Sequence, residues 1–368
     1  MTAVTGAVKI QAGKYPVITM PRKRVTLADV ARKAGVSQTA ASFVLAGRRQ
    51  DMRISAEVEE RVLQAVRETG YRPNIVSRGL RTGTTLTIGF VSDTVSTTPF
   101  AGHLIWGALD AAREYGHLLL IAETEGDAEL EQQHVEAMHD RQVDGIILAS
   151  MYTRTVRPPK ALLDSPAVLL NALPKGRPSL PCVVPDEAGA GRTAARVLLD
   201  AGHHEGICLI GAGPDSAEAP RDSVAAVERL QGILETLQSA GVQVAAAVGC
   251  SSWQPEHGFE ATQQLLAAGP RPSALICFND RLALGAYQAL ADAGLDVPAD
   301  VSVISFDDDV FASWIRPQLT TVALPHYELG RAAVERLLDQ AGDSDGHQLR
   351  IHRIPMPLRT RGSVRSLT

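Results

Sequence analysis

The stretch VTLADVARKAGVSQTAASFVLAGRR, Val25 to Arg49, decides how the amino-terminal part of the chain folds. Thr26 is a helix cap, and Asp29 three residues on completes a Thr-x-x-Asp box. Leu27, Val30, Ala31 and Ala34 then recur at helical spacing, and Gly35 ends the helix. Val36 leads into a second cap, Ser37, and Gln38 to Leu45 form a second helix. Its Ala40, Ala41 and Val44 are small or apolar enough to pack closely on the first. Two helices this short, joined around one glycine, make a helix-turn-helix. A third run, from Ser55 through Val58, Val62 and Val66 to Gly70, covers the pair and closes a core. Farther on, Asn74 to Arg81 reads as a short, detachable helix capped by Asn74.

Charge follows the same division. The 368 residues carry a net charge of -5, but residues 1 to 85 hold 15 Lys+Arg against 6 Asp+Glu, a surplus of +9, and the remainder carries -14. A basic head on an acidic body suits a polyanion-binding module attached to a solubilising, sensing domain. Met1 to Arg24 has five basic residues and no acidic ones, with Gly6, Gly13, Pro16 and Pro21, and reads as a flexible basic extension.

From Leu86 onward short apolar runs alternate with helical stretches, the pattern of a parallel sheet with crossover helices. Strands are expected at Leu86–Val91, His117–Ala122, Gly145–Ala149, Ala167–Leu170, Gly206–Ile210, Gln243–Gly249, Ala274–Phe278 and Val301–Ser305. Helices are expected near 101–115, 129–141, 187–201, 223–240, 256–268, 280–293 and 326–340. So many βα units imply two doubly wound halves, with Pro181 to Pro185 as the first crossing between them. The expected domains are a 1–24 extension, a 25–73 head, a 74–85 hinge and linker, and an 86–368 body.

Three segments carry a family resemblance: VTLADVARKAGVSQTAASFVLAGRR, RISAEVEERV (Arg53 to Val62) and YRPNIVSRGLRTGTTLTIGFV (Tyr71 to Val91). They resemble the amino-terminal third of the LacI/GalR bacterial transcriptional regulators, and the resemblance extends over nearly all of residues 25 to 363. It implies an α/β protein with a small all-α helix-turn-helix head and a two-lobed, doubly wound, periplasmic-binding-protein-like effector domain. It further implies a cytoplasmic homodimer on a palindromic double-stranded DNA operator, with a small polar effector of carbohydrate type. The second helix enters the major groove and the hinge helix presents Leu80 to the minor groove. The DNA-facing set is then Thr26, Ser37, Gln38, Thr39, Ser42 and Phe43, with Asn74, Ser77, Arg78, Leu80 and Arg81 of the hinge. Phe43 departs from the polar or basic side chain that many members carry there.

In such a body, ligands lie beyond the carboxyl ends of the strands. Asn279 and Asp307 follow strands and match family positions that bind effector hydroxyls, although each alone can be a cap or turn residue. Arg229 matches the family's arginine in the second half, with Arg221 as a rival. Trp253 follows a strand and can stack on a sugar ring or belong to the core. Asp93 and Phe100 stand where they would line the cleft from the first half.

Other chemistries lack their residues. Gly211-Ala-Gly213 follows a strand but has no third glycine, no Walker lysine is present, and neither G-x-S-x-G nor H-E-x-x-H occurs. Cys182, Cys208, Cys250 and Cys277 are too widely spaced for a metal knuckle and read as buried thiols. No cofactor or metal is expected, nor is an enzyme. No apolar run reaches 18 residues and no secretory signal opens the chain, which disfavours the alternative of a solute-binding protein serving a transporter and a membrane role.

Overall fold

A computed structural model describes residues 25–72, 83–96, 102–176, 180–213, 220, 222–269, 271–339 and 351–367. The basic extension 1–24, the expected hinge helix 74–81, Phe100 and Arg221 lie outside the described residues. The chain separates into two compact units, one up to Gly83 and one from Thr84.

In the first unit, α1 (Leu27–Ala34) starts at the expected capping box. The Asp29 N–H donates to the Thr26 hydroxyl, and the Asp29 carboxylate accepts from the Thr26 N–H at 3.0 Å. The Thr26 hydroxyl also donates to that carboxylate at 2.7 Å, and this bond and then the one from the Thr26 N–H hold the Asp29 carboxyl down to about 2. Gly35 adopts the left-handed conformation at φ 65, open to glycine without strain, so α2 (Gln38–Leu45) can turn back at once. Ser37 caps α2 by accepting from the Ala40 N–H at 3.1 Å, and Ser55 caps α3 (Ala56–Thr69). Val30, Ala31, Ala34, Ala41, Val44, Val62 and Ala65 form the core. Its side chains are small because three short helices must approach closely to exclude water.

The second unit contains two six-stranded sheets. The first holds β1 (Thr87–Ser92), β2 (Leu118–Glu123), β3 (Gly145–Val156), β4 (Ala167–Pro174), β5 (Cys182–Pro185) and β11 (Ile351–Ile354), in the order β11-β5-β4-β3-β1-β2. The second holds β6 (Ile207–Gly211), β7 (Ala246–Gly249), β8 (Ala274–Cys277), β9 (Ser302–Asp307), β10 (Thr320–Ala323) and β12 (Leu358–Arg359), in the order β12-β10-β9-β8-β6-β7. All pairs are parallel except β10 with β12. Central strands such as β8 are buried throughout, as a sheet covered on both faces requires. Helices α4 (Gly102–Glu114), α5 (Ala128–Asp140) and α10 (His326–Asp339) serve the first lobe. Helices α6 (Glu187–Asp200), α7 (Val224–Ser239), α8 (Pro255–Ala268) and α9 (Asp280–Asp292) serve the second. The chain therefore passes between lobes three times: after β5, after β10 and after β11.

Two expectations are corrected here. Cys182–Pro185, bracketed by prolines and read as a crossing, is a strand paired with β4 and β11, and the crossing starts at its end. Proline is tolerated because Pro181 precedes the strand and Pro185 is its last residue, paired with Ile354, and the Pro181 carbonyl still accepts from Leu169. Thr320–Ala323, β11 and β12 were not expected as strands, being only two to four residues long.

Each lobe is drawn together by reciprocal glycines. A Cβ on Gly107 of α4 would lie 1.9 Å from the Tyr327 carbonyl oxygen, and one on Gly330 of α10 would lie 2.0 Å from that of Leu104. Gly191 of α6 and Gly232 of α7 would meet the Arg229 and Ala188 oxygens at 2.2 and 2.1 Å. Gly258 of α8 and Gly285 of α9 repeat the arrangement. Backbone cannot move aside as a side chain does, so Gly232→Ala must pry α6 from α7. A loss of about 1–3 kcal/mol is expected, the range for overpacking a well-filled core. Urea unfolding followed by tryptophan fluorescence checks it, since Trp106, Trp253 and Trp314 all lie in the second unit; an unchanged midpoint contradicts this packing.

Candidate functional site

Strands of both lobes end on one cavity of about 290 Å³, lined from the first lobe by Met151, Tyr152, Thr153 and Asn171 and from the second by Ser223, Arg229, Trp253, Asn279 and Asp307 among others. Strand β3 reaches it through a register shift between Ala149 and Arg154, a bulge that re-aims the strand's end. Beyond the bulge the Thr155 N–H donates to the Asp222 carbonyl at 3.2 Å, so the first lobe touches the start of α7 directly.

Arg229 is the electrostatic centre. It sits in the second turn of α7 and is 2% exposed. Its Nε donates to Glu187 at 2.6 Å, its Nη2 to Asp307 at 3.1 Å, and its Nη1 to the Phe278 carbonyl. The guanidinium also lies 4.7 Å from the Phe306 ring centroid and 5.8 Å from that of Trp253. Burial disfavours its charge, but Glu187 and then Asp307 more than offset this and raise its pKa. One cation thus faces two carboxylates. Burial pushes the Asp307 carboxyl up to about 6, against the pull of Arg229 and with Glu187 adding to the push. The close approach of α6 and α7 at their glycines is what brings Glu187, at the first position of α6, within reach of Arg229.

The network continues into the first lobe. The Thr153 hydroxyl lies 2.7 Å from Asn171 Oδ1 and 3.2 Å from Glu187 Oε1, and the Asn171 amide donates to the Ser150 carbonyl at 3.1 Å. A polar route therefore links β3 and β4 to Arg229. On the second-lobe side Asp280, fully buried, holds the loop after β9: it accepts from the Ser305 hydroxyl, from Thr321 at 2.8 Å and from the Asp309 N–H at 2.7 Å. Burial and the nearby Asp307 push its carboxyl up to about 8 despite those donors. The clamp is needed because Asp307 and Asp308 have φ of 108 and 58, conformations costly for residues other than glycine.

Four residues expected from the sequence, Arg229, Trp253, Asn279 and Asp307, meet at this cavity. Asn279 is also the cap of α9: its oxygen accepts from the Leu282 N–H at 2.8 Å and its amide donates to the Trp253 carbonyl at 3.1 Å. Trp253 combines both of its readings, lining the cavity while donating to the Gly211 carbonyl at 3.2 Å and packing edge-on against Phe278. Asp93 departs from expectation. It is not among the residues that line the cavity: its carboxylate accepts from the Met151 N–H at 2.9 Å and pairs with Arg154 at 3.0 Å. Sequence reading missed Glu187, Thr153 and Asn171, and it noted Asp280 only as a residue following a strand. Asp186-Glu187 carried a signal, a capping aspartate directly after a strand, concealed when that strand was read as a crossing.

In the head, Gln38 and Thr39 are exposed at the start of α2, Ser42 and Phe43 are half-buried, and Thr26 and Ser37 serve as caps. Asn74, Ser77, Arg78, Leu80 and Arg81 lie outside the described residues. Among the described residues no group of His, Cys, Asp and Glu can hold a metal ion, and no helix is long and apolar enough to cross a membrane. The four cysteines are free and buried.

Comparison with known proteins follows the same division. Residues 26–74 match the bacterial regulatory proteins of the lacI family, and residues 85–361 match the periplasmic binding proteins and sugar binding domain of LacI family. The ribose operon repressor of Escherichia coli (strain K12) is 32% identical over 92% of this chain and 99% of its own. The HTH-type transcriptional repressor PurR of Vibrio cholerae (strain M66-2) is 32% identical over 93% and 99%. The crystal structure of the lac repressor dimer bound to operator and the anti-inducer ONPF superposes with a TM-score of 0.76 at 28% identity, over 93% of this chain and 100% of that one.

Proposed function

Because this chain belongs to the LacI family of bacterial regulatory proteins, we propose that it is a cytoplasmic repressor that binds a palindromic operator as a homodimer and releases it on binding a neutral polyhydroxyl compound of the sugar class. It transforms no substrate. The observation that carries the effector class is the buried cluster: Arg229 is already matched by Glu187 and Asp307. Among the described residues the cluster has a surplus negative charge, so a phosphate or carboxylate entering it would meet two carboxylates, and the other arginine of the wall, Arg281, is partly exposed and lies 3.9 Å from Asp309. Hydroxyl groups suit it, since each can donate to a carboxylate, and Trp253 offers its ring to an apolar sugar face. The name of the ribose operon repressor is in keeping with this reading.

On the DNA side, Gln38 and Thr39 read base edges from the exposed start of α2. For the dimer, the first lobe offers Trp106 and Leu109 on α4 beside Leu118 and Ile121 on the edge strand β2, large apolar groups left exposed on this unit.

Calorimetry with neutral pentoses and hexoses and their phosphate esters tests the reading. One neutral sugar is expected to bind, its phosphate ester more weakly. Asp307→Asn should reduce the sugar's affinity roughly 10- to 100-fold, matching the ~1.5–3 kcal/mol of a hydrogen bond to a charged group, and leave effector-free operator affinity near that of the parent. Tighter binding of the ester, or unchanged affinity in the variant, overturns it.

A further inference from the structure

The core of the head does not account for Phe43. On α2 the buried side chains are Ala41 and Val44, and Thr39 and Phe43, one helical turn apart, lie on the opposite face. Phe43 is neither among the core residues of the head nor among those packed against them. A half-buried aromatic ring that belongs to no core of the head keeps part of its surface open to a partner. The Arg48 guanidinium stands over the ring, 5.4 Å from the centroid, and is steered there by a 2.6 Å ion pair with Asp51 in the turn Arg49–Met52. Arg48 itself is 59% exposed, so its donors still face outward while its planar group rests on the ring.

We propose that Phe43 reads a thymine through its 5-methyl group and that Arg48, stacked on Phe43, binds a phosphate next to that base. This rests on the reading that α2 enters the major groove. There the methyl of thymine is the only apolar group a base pair displays, and an apolar side chain is what recognises it. A guanidinium is suited to the phosphate because its planar fork of donors stays available when its face is stacked. Asp51 places Arg48 in the free protein, and the phosphate takes over from Asp51 on DNA. Thr39, on the same face, reads the base pair beside it, so the two residues form a continuous apolar-and-hydroxyl strip along the groove.

The test uses the full chain and an operator enriched by it from random duplexes. Each thymine of the half-site is replaced in turn by deoxyuridine, which removes only the methyl. One position is expected to lose affinity about fourfold per half-site, as burying one methyl group supports, and 5-methylcytosine is expected to be bound better than cytosine there. Phe43→Ala should bind thymine and uracil operators alike at that position while retaining the parent's uracil response elsewhere. Because the comparison is internal to each variant, a head that merely misfolds loses both operators; Phe43→Gln, a good helix former, then serves in its place and must bind with the ratio reduced to one. Arg48→Ala should weaken both operators equally and lower the slope of log affinity against log salt by about one per subunit. An operator with no methyl-sensitive position, or one whose sensitivity survives in Phe43→Ala and Phe43→Gln, overturns the proposal while the DNA-binding reading stands. Failure to enrich any duplex overturns both.

Discussion

Replacing Arg229 by leucine is expected to cost the effector domain about 3–5 kcal/mol at pH 7, the usual penalty for breaking a buried ion pair from one side. The variant leaves Glu187 and Asp307 in the same buried site with no cation between them. Asp307 sets the pH dependence. Its carboxyl titrates at about 6 in the folded protein against 3.8 ordinarily, so the fold binds its proton more tightly than the unfolded chain does. That stabilising contribution is complete below about pH 4 and is lost as pH rises through 6. Without Arg229 the carboxyl is pushed higher still, so the deficit of the variant is expected to be largest at pH 7–8 and to shrink towards pH 5. Urea unfolding of parent and variant across this range gives the answer. A variant as stable as the parent at pH 7, or a deficit that grows on acidification, removes the buried pair from the account. Response to effector should be lost at every pH, since the residue that orders both carboxylates is gone.

Asp280→Ala is expected to be nearly as damaging, by roughly 3 kcal/mol, because it leaves the Ser305 and Thr321 hydroxyls and the Asp309 N–H buried without their shared acceptor. The consequence for function is the more informative one. Asp280 contributes no atom to the cavity wall, yet it fixes the turn in which Asp307 holds its positive φ. Once the clamp is gone that turn relaxes to a conformation ordinary for aspartate, and the carboxylate leaves its place beside Arg229. Effector affinity should fall at least tenfold, by about 1.4 kcal/mol, with no direct contact removed. Asp280→Asn keeps an oxygen for the two hydroxyls but turns an amide donor towards the Asp309 N–H, so an intermediate loss is expected. Calorimetry on the two variants, compared with their urea midpoints, separates positioning from bulk stability. Normal affinity in Asp280→Ala would show that Asp307 holds its geometry without the clamp.

Much of this protein is legible in local sequence. Caps at Thr26, Ser37 and Ser55, with Gly35 between α1 and α2, mark the head because cap and turn chemistry acts over three or four residues. The alternation of apolar runs and helical stretches marks two doubly wound lobes for the same reason. Asn279 and Asp307 stand out because they directly follow strands, where such folds place their ligands. The partners of these residues are another matter. Glu187 lies 42 residues from Arg229 in the chain, Asp307 lies 78 from it, and Thr321 lies 41 from Asp280. No periodicity connects positions that far apart. They meet because sheet order and three crossings bring strand ends together, and because glycine pairs let α6 and α7 touch. Asp93 shows the converse: its place after β1 was readable, but only the packed structure decides that its carboxylate meets Met151 and Arg154. Local chemistry along the chain thus determined the elements, their faces and the identity of the charged residues, whereas which charge neutralises which was settled by tertiary packing, since buried ions are stable only next to partners that the fold alone can supply.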